Sequence, residues 1–383
     1  MTHEEFARRP DTTVLNAQSV SAEDDDHGTE VASVIGAPVN GVGLVGVYPQ
    51  AALRSWDASP FGTLSTSAAV AGIIAAAKAG PGVINLSFGG DERDLRIQRA
   101  ILYAVKRGSL VVASSGNDGI VGNPQSYPAS YPHVLTVAAT NERGEVATFS
   151  SQSKEVDLAA PGVRIPVAEP RADDPNGYVN ASGTSFSAPI VSGAAAWVWT
   201  VRPDLDAGQL FEVMRQSARD IAPTGFDRAT GWGILDIPAA LALAAPAPDP
   251  LEPNDDVDQI VPKGILPGGE PPLTTPAKTS ATLTARVDRY EDPHDVYRIW
   301  APAGGTITAR TSGGRVDLRI YANGVRSTSA RPAAASTRPG TAADAVTFRN
   351  RSRRGGYAYV EVRPAPSTTR DSYSLRVATV ARP

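Results

Sequence analysis

The chain has 383 residues, a formal net charge of −4 and 42% hydrophobic residues, enough for two domains with packed cores. It has no cysteine, which excludes disulfides, thiol catalysis and thiolate metal sites. Its longest apolar run is too short to cross a bilayer, and its arginines are scattered apart from a short cluster at 349–354 that we interpret as a solvated loop. We therefore expect no membrane span and no nucleic-acid partner.

Residues 1–245 alternate short apolar runs with helical stretches. Runs bounded by turn residues predict strands, and alanine-rich or 3.6-period segments predict helices. This alternation argues for a parallel sheet covered by helices on both faces. The predicted strands are 51–56, 83–87, 110–113 and 134–138, the predicted helices are 67–79, 95–107 and 188–201, and a further apolar run covers 31–37.

The composition changes after residue 245. Residues 246–276 are rich in proline and acidic residues, which is typical of a linker. The pattern then becomes period two, with Gly and Pro between the runs, and predicts a small all-β sandwich over 277–383. The predicted strands of this domain are 306–311, 316–321, 357–362 and 373–377.

A candidate nucleophile lies in the segment Gly-Thr-Ser-Phe-Ser-Ala-Pro at 183–189. Ser185 stands between a small-residue turn and the predicted helix 188–201, so its hydroxyl is expected near a helix N-terminus. Unpaired N–H groups there favour developing negative charge. Pro189 fits the first helical turn, where its missing N–H costs nothing. A nucleophilic serine also needs a base and donors for an oxyanion.

The candidate base is one of only four histidines. His27 opens an apolar, small-residue helix, from whose first turn a side chain can lean toward a neighbouring site. A lone histidine is more often structural. The glycine beside His27 and the Ser185 segment together favour a catalytic histidine.

The candidate oxyanion donor is Asn117, which follows the predicted strand 110–113 in a glycine-rich turn. Ligand-facing residues lie at the carboxyl ends of parallel strands, and an amide side chain there can donate to an oxyanion. Taken alone, Asn-Asp-Gly is also ordinary turn chemistry.

Together these segments resemble the subtilisin-like serine peptidases, the subtilase family, over residues 1 to about 245. His27–Ala37 is similar to the family's histidine block, Gly183–Gly193 to its serine block, and Ser114–Asn117 to the segment with the oxyanion asparagine. Residues 85–90 resemble the strand that pairs with substrate, and 157–162 and 230–233 resemble further landmarks. The resemblance implies an α/β fold with a doubly wound parallel sheet of subtilisin type.

The resemblance also implies a mechanism. Ser185 attacks the peptide carbonyl, His27 takes its proton and returns it to the leaving amine, and Asn117 holds the oxyanion with the Ser185 N–H. The substrate is a polypeptide, no cofactor or catalytic metal is required, and a monomer is expected. The residues implied in substrate binding are Ser87, Phe88, Gly89, Ser114 and Gly116.

The sequence departs from the family in one respect. The family order is Asp, His, Ser, with the aspartate in an Asp-Ser/Thr-Gly motif that ends a buried strand. Only 26 residues precede His27, and none of them forms that motif. Residues 2–6 resemble what the family has just after its aspartate, so we expect the strand and its aspartate upstream of Met1, in an N-terminally truncated domain.

Two alternatives to this late start or fragment stay open. In the first alternative, the chain is a degraded peptidase that binds peptides without cleaving them. In the second, one of Asp24–Asp26 replaces the aspartate. A late start would also leave the signal peptide and pro-segment of an extracellular or cell-surface protein outside this chain.

In subtilisin itself, loss of the orienting aspartate costs about 3 × 10⁴ in kcat, so we expect weak turnover. A lipase-type hydrolase is disfavoured because the second glycine of Gly-x-Ser-x-Gly is absent.

The acidic run at 24–26 bears on specificity. It is either a solvated loop, or Asp25 or Asp26 lines the cleft and favours basic residues before the cleaved bond. Phe88 is expected to help form the wall of the primary specificity pocket, by resemblance to the substrate-pairing strand.

The C-terminal region resembles the pre-peptidase C-terminal type of β-sandwich that follows secreted bacterial peptidases. The similar segments are Glu-Pro-Asn-Asp-Asp at 252–256, 292–297, 303–305 and 316–321. The resemblance implies a domain that is removed during maturation or that binds surfaces. Asp292 and Asp295 are either calcium ligands or solvated turn carboxylates, so structural calcium is possible but unplaced.

Overall fold

A computed structural model describes residues 3–6, 12–15, 26–59, 63–169, 177–221, 223–338 and 343–382. The chain separates into two compact units, Met1–Pro246 and Ala247–Pro383. Within the described ranges, no helix has the length and apolar character needed to cross a membrane. The acidic residues Asp24 and Asp25 lie outside the described residues.

The first unit consists of helices and mostly parallel strands. Short 3₁₀ turns at Glu4–Phe6 and Gly119–Val121 add to these elements. In chain order the elements are β1 (Thr12–Val14), α1 (His27–Gly36), β2 (Leu53–Ser55), α2 (Thr66–Lys78), β3 (Val83–Leu86), α3 (Leu95–Lys106), β4 (Leu110–Ser114), β5 (Val134–Thr140), β6 (Leu158–Pro161), β7 (Ile165–Ala168), β8 (Tyr178–Ala181), α4 (Thr184–Val201), α5 (Ala207–Gln216) and α6 (Ile237–Ala242).

The sheet of this unit is parallel, as predicted. Strands β3, β4, β5 and β6 are neighbours in that order, β1 pairs with β2 in a separate parallel sheet, and β7 and β8 form an antiparallel pair. Among the described residues, β2 pairs only with β1 and β3 only with β4.

Helices cover both faces of the larger sheet, and β4 shows why. Its side chains alternate between two hydrophobic clusters. Leu110 and Val112 pack in a cluster with α4, α5 and α6, whereas Val111 and Ala113 pack in a cluster with α2 and α3. Every residue of β4 is buried, as expected for a central parallel strand. This two-sided burial confirms the doubly wound fold class.

The two landmark segments at 157–162 and 230–233 hold each other in place. The N–H of Trp232 donates to the carbonyl of Asp157 at 2.9 Å, and the N–H of Ala159 donates to the carbonyl of Gly233 at 2.8 Å. Gly231 has φ +61°, and a Cβ at this position would lie 2.3 Å from the Asp157 carbonyl carbon. Glycine is therefore required where the two segments meet.

A buried ion network fixes α5 beside β6. The Arg215 Nε lies 2.9 Å from an oxygen of Asp157, and an Arg215 Nη lies 3.3 Å from an oxygen of Glu212. All three side chains are at most 5% exposed. The other Asp157 oxygen accepts the N–H of Thr136 at 2.8 Å. Removing the Arg215 guanidinium would leave the carboxylates of Asp157 and Glu212 buried without this positive charge.

We expect Arg215→Met to lower the free energy of unfolding by about 3–5 kcal/mol, because an uncompensated buried charge is far more costly than a lost surface pair. The measurement is urea unfolding followed by tryptophan fluorescence, which reports mainly the first unit because four of the five tryptophans lie there (positions 56, 197, 199 and 232). The matched control is Arg96→Met, whose partner Asp94 is on the surface; its effect should stay below about 1 kcal/mol. Equal effects for the two variants would contradict the role assigned to Arg215.

The second unit is an antiparallel all-β structure with one short helix. Its elements are α7 (Val257–Ile260), β9 (Ser280–Asp288), β10 (Asp295–Ala301), β11 (Thr306–Ser312), β12 (Val316–Tyr321), β13 (Ala334–Ser336), β14 (Ala345–Arg349), β15 (Gly356–Pro364) and β16 (Arg370–Val380). They form two four-stranded sheets, ordered β10-β15-β12-β13 and β14-β11-β16-β9. Side chains from both sheets share one hydrophobic cluster. The small all-β domain is confirmed.

Four strands of this unit were not predicted from the sequence: β9, β10, β13 and β14. In β10 the reason is visible. Asp295 and Arg298 interrupt its apolar pattern, yet they are only 0% and 9% exposed. A strand that buries charged side chains lacks the alternation on which the sequence prediction depends.

The segment predicted as a linker, 246–276, differs from that prediction. All but its first residue belong to the second unit. Val257 and Ile260 are buried in a cluster with Tyr321, and Asn254 is fully buried and accepts the N–H of Val296. Proline and acidic residues suggested a solvated segment, but here the prolines alternate with apolar side chains that pack on the sandwich.

Candidate active site

Helix α4 begins at the residue before Ser185. Gly183 precedes it with φ +157°, a conformation that glycine adopts without strain. A Cβ on Gly183 would lie 3.4 Å from the side-chain amide nitrogen of Asn117. As the second residue of α4, Ser185 has a backbone N–H without an acceptor inside the helix. The sequence thus places both the Ser185 hydroxyl and its N–H at a helix N-terminus.

The Asn117 side chain is fixed by the first residue of α4. Its Oδ1 accepts hydrogen bonds from both the N–H and the hydroxyl of Thr184, each at 2.9 Å. A backbone N–H can only donate, so the oxygen must face Thr184 and the Nδ2 must face away from it. The Thr184 hydroxyl also accepts the N–H of Gly116 at 3.2 Å. Because Asn117 is exposed, its NH₂ is available to a bound molecule.

The Ser185 side chain lies next to the end of β3. Its hydroxyl donates to the carbonyl of Ser87 at 3.3 Å, and the Ser87 hydroxyl donates to the carbonyl of Ser185 at 2.8 Å. Ser87 in turn accepts from the amide of Asn85 at 2.9 Å. These bonds connect the serine to the segment predicted to pair with substrate.

His27 lies at the start of α1, beside the same helix N-terminus. Its imidazole packs edge-to-face on the ring of Phe186, with ring centroids 5.8 Å apart. His27 is exposed, whereas Phe186 is 5% exposed. Phe186 follows Ser185 directly, so the predicted base contacts the residue next to the predicted nucleophile.

The acidic residue nearest His27 in sequence is Asp26, the N-cap residue of α1. Its carboxylate makes no hydrogen bond to the helix N-terminus. Asp26 is not among the residues that line the cleft described next. The possible roles of Asp24 and Asp25 stay predictions, because both lie outside the described residues.

A cleft of about 380 Å³ opens beside Ser185 and Asn117. Of the predicted substrate-binding residues, Phe88, Gly89, Ser114 and Gly116 line it, while Ser87 contacts Ser185 instead. Further residues of the lining were not predicted from the sequence. Asp91 and Asp118 lie in turns just after predicted elements, a signal that was available; the others depend on tertiary structure. Gly90 belongs to the segment 85–90 that was predicted to pair with substrate, and the missed residues are Asp91, Asp118, Pro124, Gln125, Ser126 and Thr184.

One wall of the cleft is held by a bridge between two loops. The N–H of Gly90 donates to the carbonyl of Tyr127 at 2.9 Å, and the N–H of Tyr127 donates back at 2.7 Å. This antiparallel bridge places Ser126 opposite Gly89, where a Cβ would lie 2.8 Å from the Ser126 hydroxyl. Gly89 and Gly90 therefore present backbone, not side chains, along that wall.

These features together indicate the class of enzyme. A serine at a helix N-terminus, a histidine beside it and an amide directed into an adjacent cleft are the parts of a serine hydrolase, here on a doubly wound parallel sheet. The sequence profile of the Subtilase family (peptidase S8) matches residues 3–233. The chain belongs to the subtilase family.

Individual relatives agree with this assignment. Subtilisin DY of Bacillus licheniformis is 33% identical over 59% of this chain and 81% of its own length. The minor extracellular protease Epr of Bacillus subtilis is 32% identical over 62% of this chain. The matched region covers only 36% of the length of Epr. Among solved structures, the prenylagaramide maturation protease PagA is similar with a TM-score of 0.55 and 30% identity, over 63% of this chain and 88% of that chain.

The contact between Thr184 and Asn117 can be tested directly. We expect Thr184→Val to slow peptide hydrolysis by about tenfold or more with little change in KM, because the amide loses the hydroxyl that orients it and a polar group is left unpaired. Steady-state kinetics with a fluorogenic peptide gives both constants. Thr184→Ser keeps the hydroxyl and should retain most of the rate; an unaffected Thr184→Val variant would contradict the assigned role.

Proposed function

We propose that this protein is a serine endopeptidase that acts through an acyl-enzyme on Ser185. The observation that carries the proposal is the orientation of Asn117. Its oxygen is bound by Thr184, so its NH₂ group is left for the cleft in which Ser185 lies.

The proposed reaction begins when the Ser185 oxygen attacks a peptide carbonyl held in the cleft. His27 takes the hydroxyl proton as the carbon–oxygen bond forms. Negative charge on the carbonyl oxygen is stabilised by the Asn117 NH₂ and the Ser185 N–H, aided by the positive end of the α4 dipole. His27 then gives its proton to the leaving amine, and water hydrolyses the ester by the same steps.

Substrate backbone is proposed to lie along residues 87–90. This segment has exposed glycines at 89 and 90, so an extended peptide can approach its backbone closely. Phe88 is half-buried and lines the cleft, where its ring supplies an apolar wall for one substrate side chain.

The family's orienting aspartate has no counterpart that the sequence identifies in this chain, and this limits the proposed activity. Without such a carboxylate the imidazole loses a fixed tautomer and a partner for its positive charge. We therefore propose turnover that is weak for a peptidase. The second candidate function follows from the same observation: the fold binds peptides along 87–90 without cleaving them.

We also propose that the protein works outside the cell. Epr, one of its relatives, is named as an extracellular protease. Monomeric state and a polypeptide substrate stay part of the proposal. The C-terminal unit is proposed to be a surface-binding or removable domain of the pre-peptidase type.

Covalent labelling distinguishes the two candidate functions. We expect a fluorophosphonate probe to modify the chain at Ser185, since the serine needs only activation and an oxyanion site to react. Ser185→Ala should abolish labelling, and Ser182→Ala, which removes an exposed serine three positions earlier, should leave it unchanged. A folded chain, judged by circular dichroism, that is not labelled would support peptide binding without cleavage.

Asn117→Ala tests the oxyanion role. One such donor is worth about 10²–10³ in kcat, a figure that comes from subtilisin itself, and we expect a loss of that order with KM nearly unchanged. Asn117→Asp is the matched variant, because it keeps an oxygen for Thr184 but replaces the donating NH₂ by an anionic oxygen. Both variants should be equally impaired; a fully active Asn117→Asp variant would show that Asn117 acts only through Thr184.

A further inference from the structure

The second unit contains a group of carboxylates that the proposed peptidase chemistry does not use. Oxygens of Asp249, Glu252 and Asp295 all lie within 4.8 Å of one another. Asp249 and Glu252 lie in the segment ahead of α7, and Asp295 is the first residue of β10. The group therefore joins two parts of this unit that are distant in sequence.

Asp295 is the buried member of the group, with 0% of its surface exposed. Its Oδ2 accepts a hydrogen bond from the hydroxyl of Tyr373, which lies 2.8 Å from the hydroxyl of Tyr297. Its Oδ1 is buried and accepts no hydrogen bond from an N–H or O–H group, and the Asp295 side chain contacts the Glu252 carboxyl instead. A buried carboxylate oxygen without a donor or cation is costly, so this oxygen points to a ligand.

One fixed cation lies near the group, since the Arg286 guanidinium is 3.7 Å from an oxygen of Asp249. Three carboxylate groups this close together repel one another when they are charged. A divalent cation bound between them would remove that repulsion.

We propose that Asp249, Glu252 and Asp295 bind a calcium ion, which holds the segment ahead of α7 against β10. The donors are all oxygens, which suit a hard cation. Three protein carboxylates at one site favour calcium, because magnesium is usually held by one or two carboxylates and keeps several waters. Asp292, whose Oδ1 is also buried without a hydrogen-bond partner, can supply a further oxygen directly or through water.

The proposal gives a physical reason for the folded state of the segment that follows residue 246. That segment is rich in proline and acidic residues, a composition that favours solvated, extended chain. Apolar contacts of Val257 and Ile260 hold its far end. A calcium ion would hold its near end, where acidic side chains otherwise repel one another.

Calcium titration of the full chain tests the site. Isothermal titration with CaCl₂, after removal of metal by EGTA and dialysis, should show one binding site that Asp295→Asn removes or weakens by at least about tenfold. Asn can still accept the hydrogen bond from Tyr373, so the variant should fold. Glu252→Gln is a second variant with the same expectation. Any calcium bound elsewhere in the chain is common to all variants and cancels in the comparison.

The matched control is Asp317→Asn, which changes another buried carboxylate of the same unit, 5% exposed, and should bind calcium like the parent chain. Terbium luminescence gives a second readout, because Tyr373 contacts Asp295 and can sensitise a bound Tb³⁺; excess Ca²⁺ should quench it. Equal binding by the parent, Asp295→Asn and Glu252→Gln would overturn the site. The same site filled equally well by Mg²⁺ would overturn the choice of calcium. No binding at all would also overturn the site, and would mean that Glu252 and Asp295 share a proton instead.

Discussion

The candidate site depends on one junction, where the carboxyl end of β4 meets the N-terminus of α4. Two hydrogen bonds from Thr184 to the Asn117 oxygen make this junction rigid. They serve two purposes at once, because they satisfy a helix N–H that would otherwise lack an acceptor and they orient the amide toward the cleft. The residues proposed as nucleophile and oxyanion donor are therefore both anchored at this contact.

The core makes that junction possible. Helix α4 is almost wholly apolar and packs on β4, β5 and β6, so its N-terminus is held by burial along its length. The catalytic segment itself needs little intrinsic stability, since neighbouring elements fix it. This division of roles explains why Ser185 is half-exposed although Thr184 and Phe186 on either side of it are buried. The proposed nucleophile is thus partly exposed, while the residues on either side of it are buried.

The sequence predicted much of this because the signals were local. A buried strand, a glycine turn and an apolar helix can each be recognised within about ten residues, so Ser185, His27 and Asn117 could be found and the parallel sheet inferred. Thr184 was missed as an orienting residue, since its partner Asn117 is 67 positions away. The composition of the segment 246–276 predicted a linker. Composition indicates the solvent preference of each residue, but it does not show the tertiary contacts that bury Val257 and Ile260. Strand β10 was not predicted because Asp295 and Arg298, which are buried in the fold, interrupt its apolar pattern.

The two units place carboxylates under opposite constraints. In the first unit Asp157 and Glu212 are buried with Arg215 between them, so each negative charge has a fixed cation within 3.3 Å. In the second unit Asp295 is equally buried, but its fixed partner is a tyrosine hydroxyl, which lowers the cost of the charge without removing it. A fold that can pair a buried carboxylate with arginine and does not do so at Asp295 leaves room for a cation from solution. The unpartnered oxygen of Asp295 is thus better explained as half of a binding site than as a defect of packing.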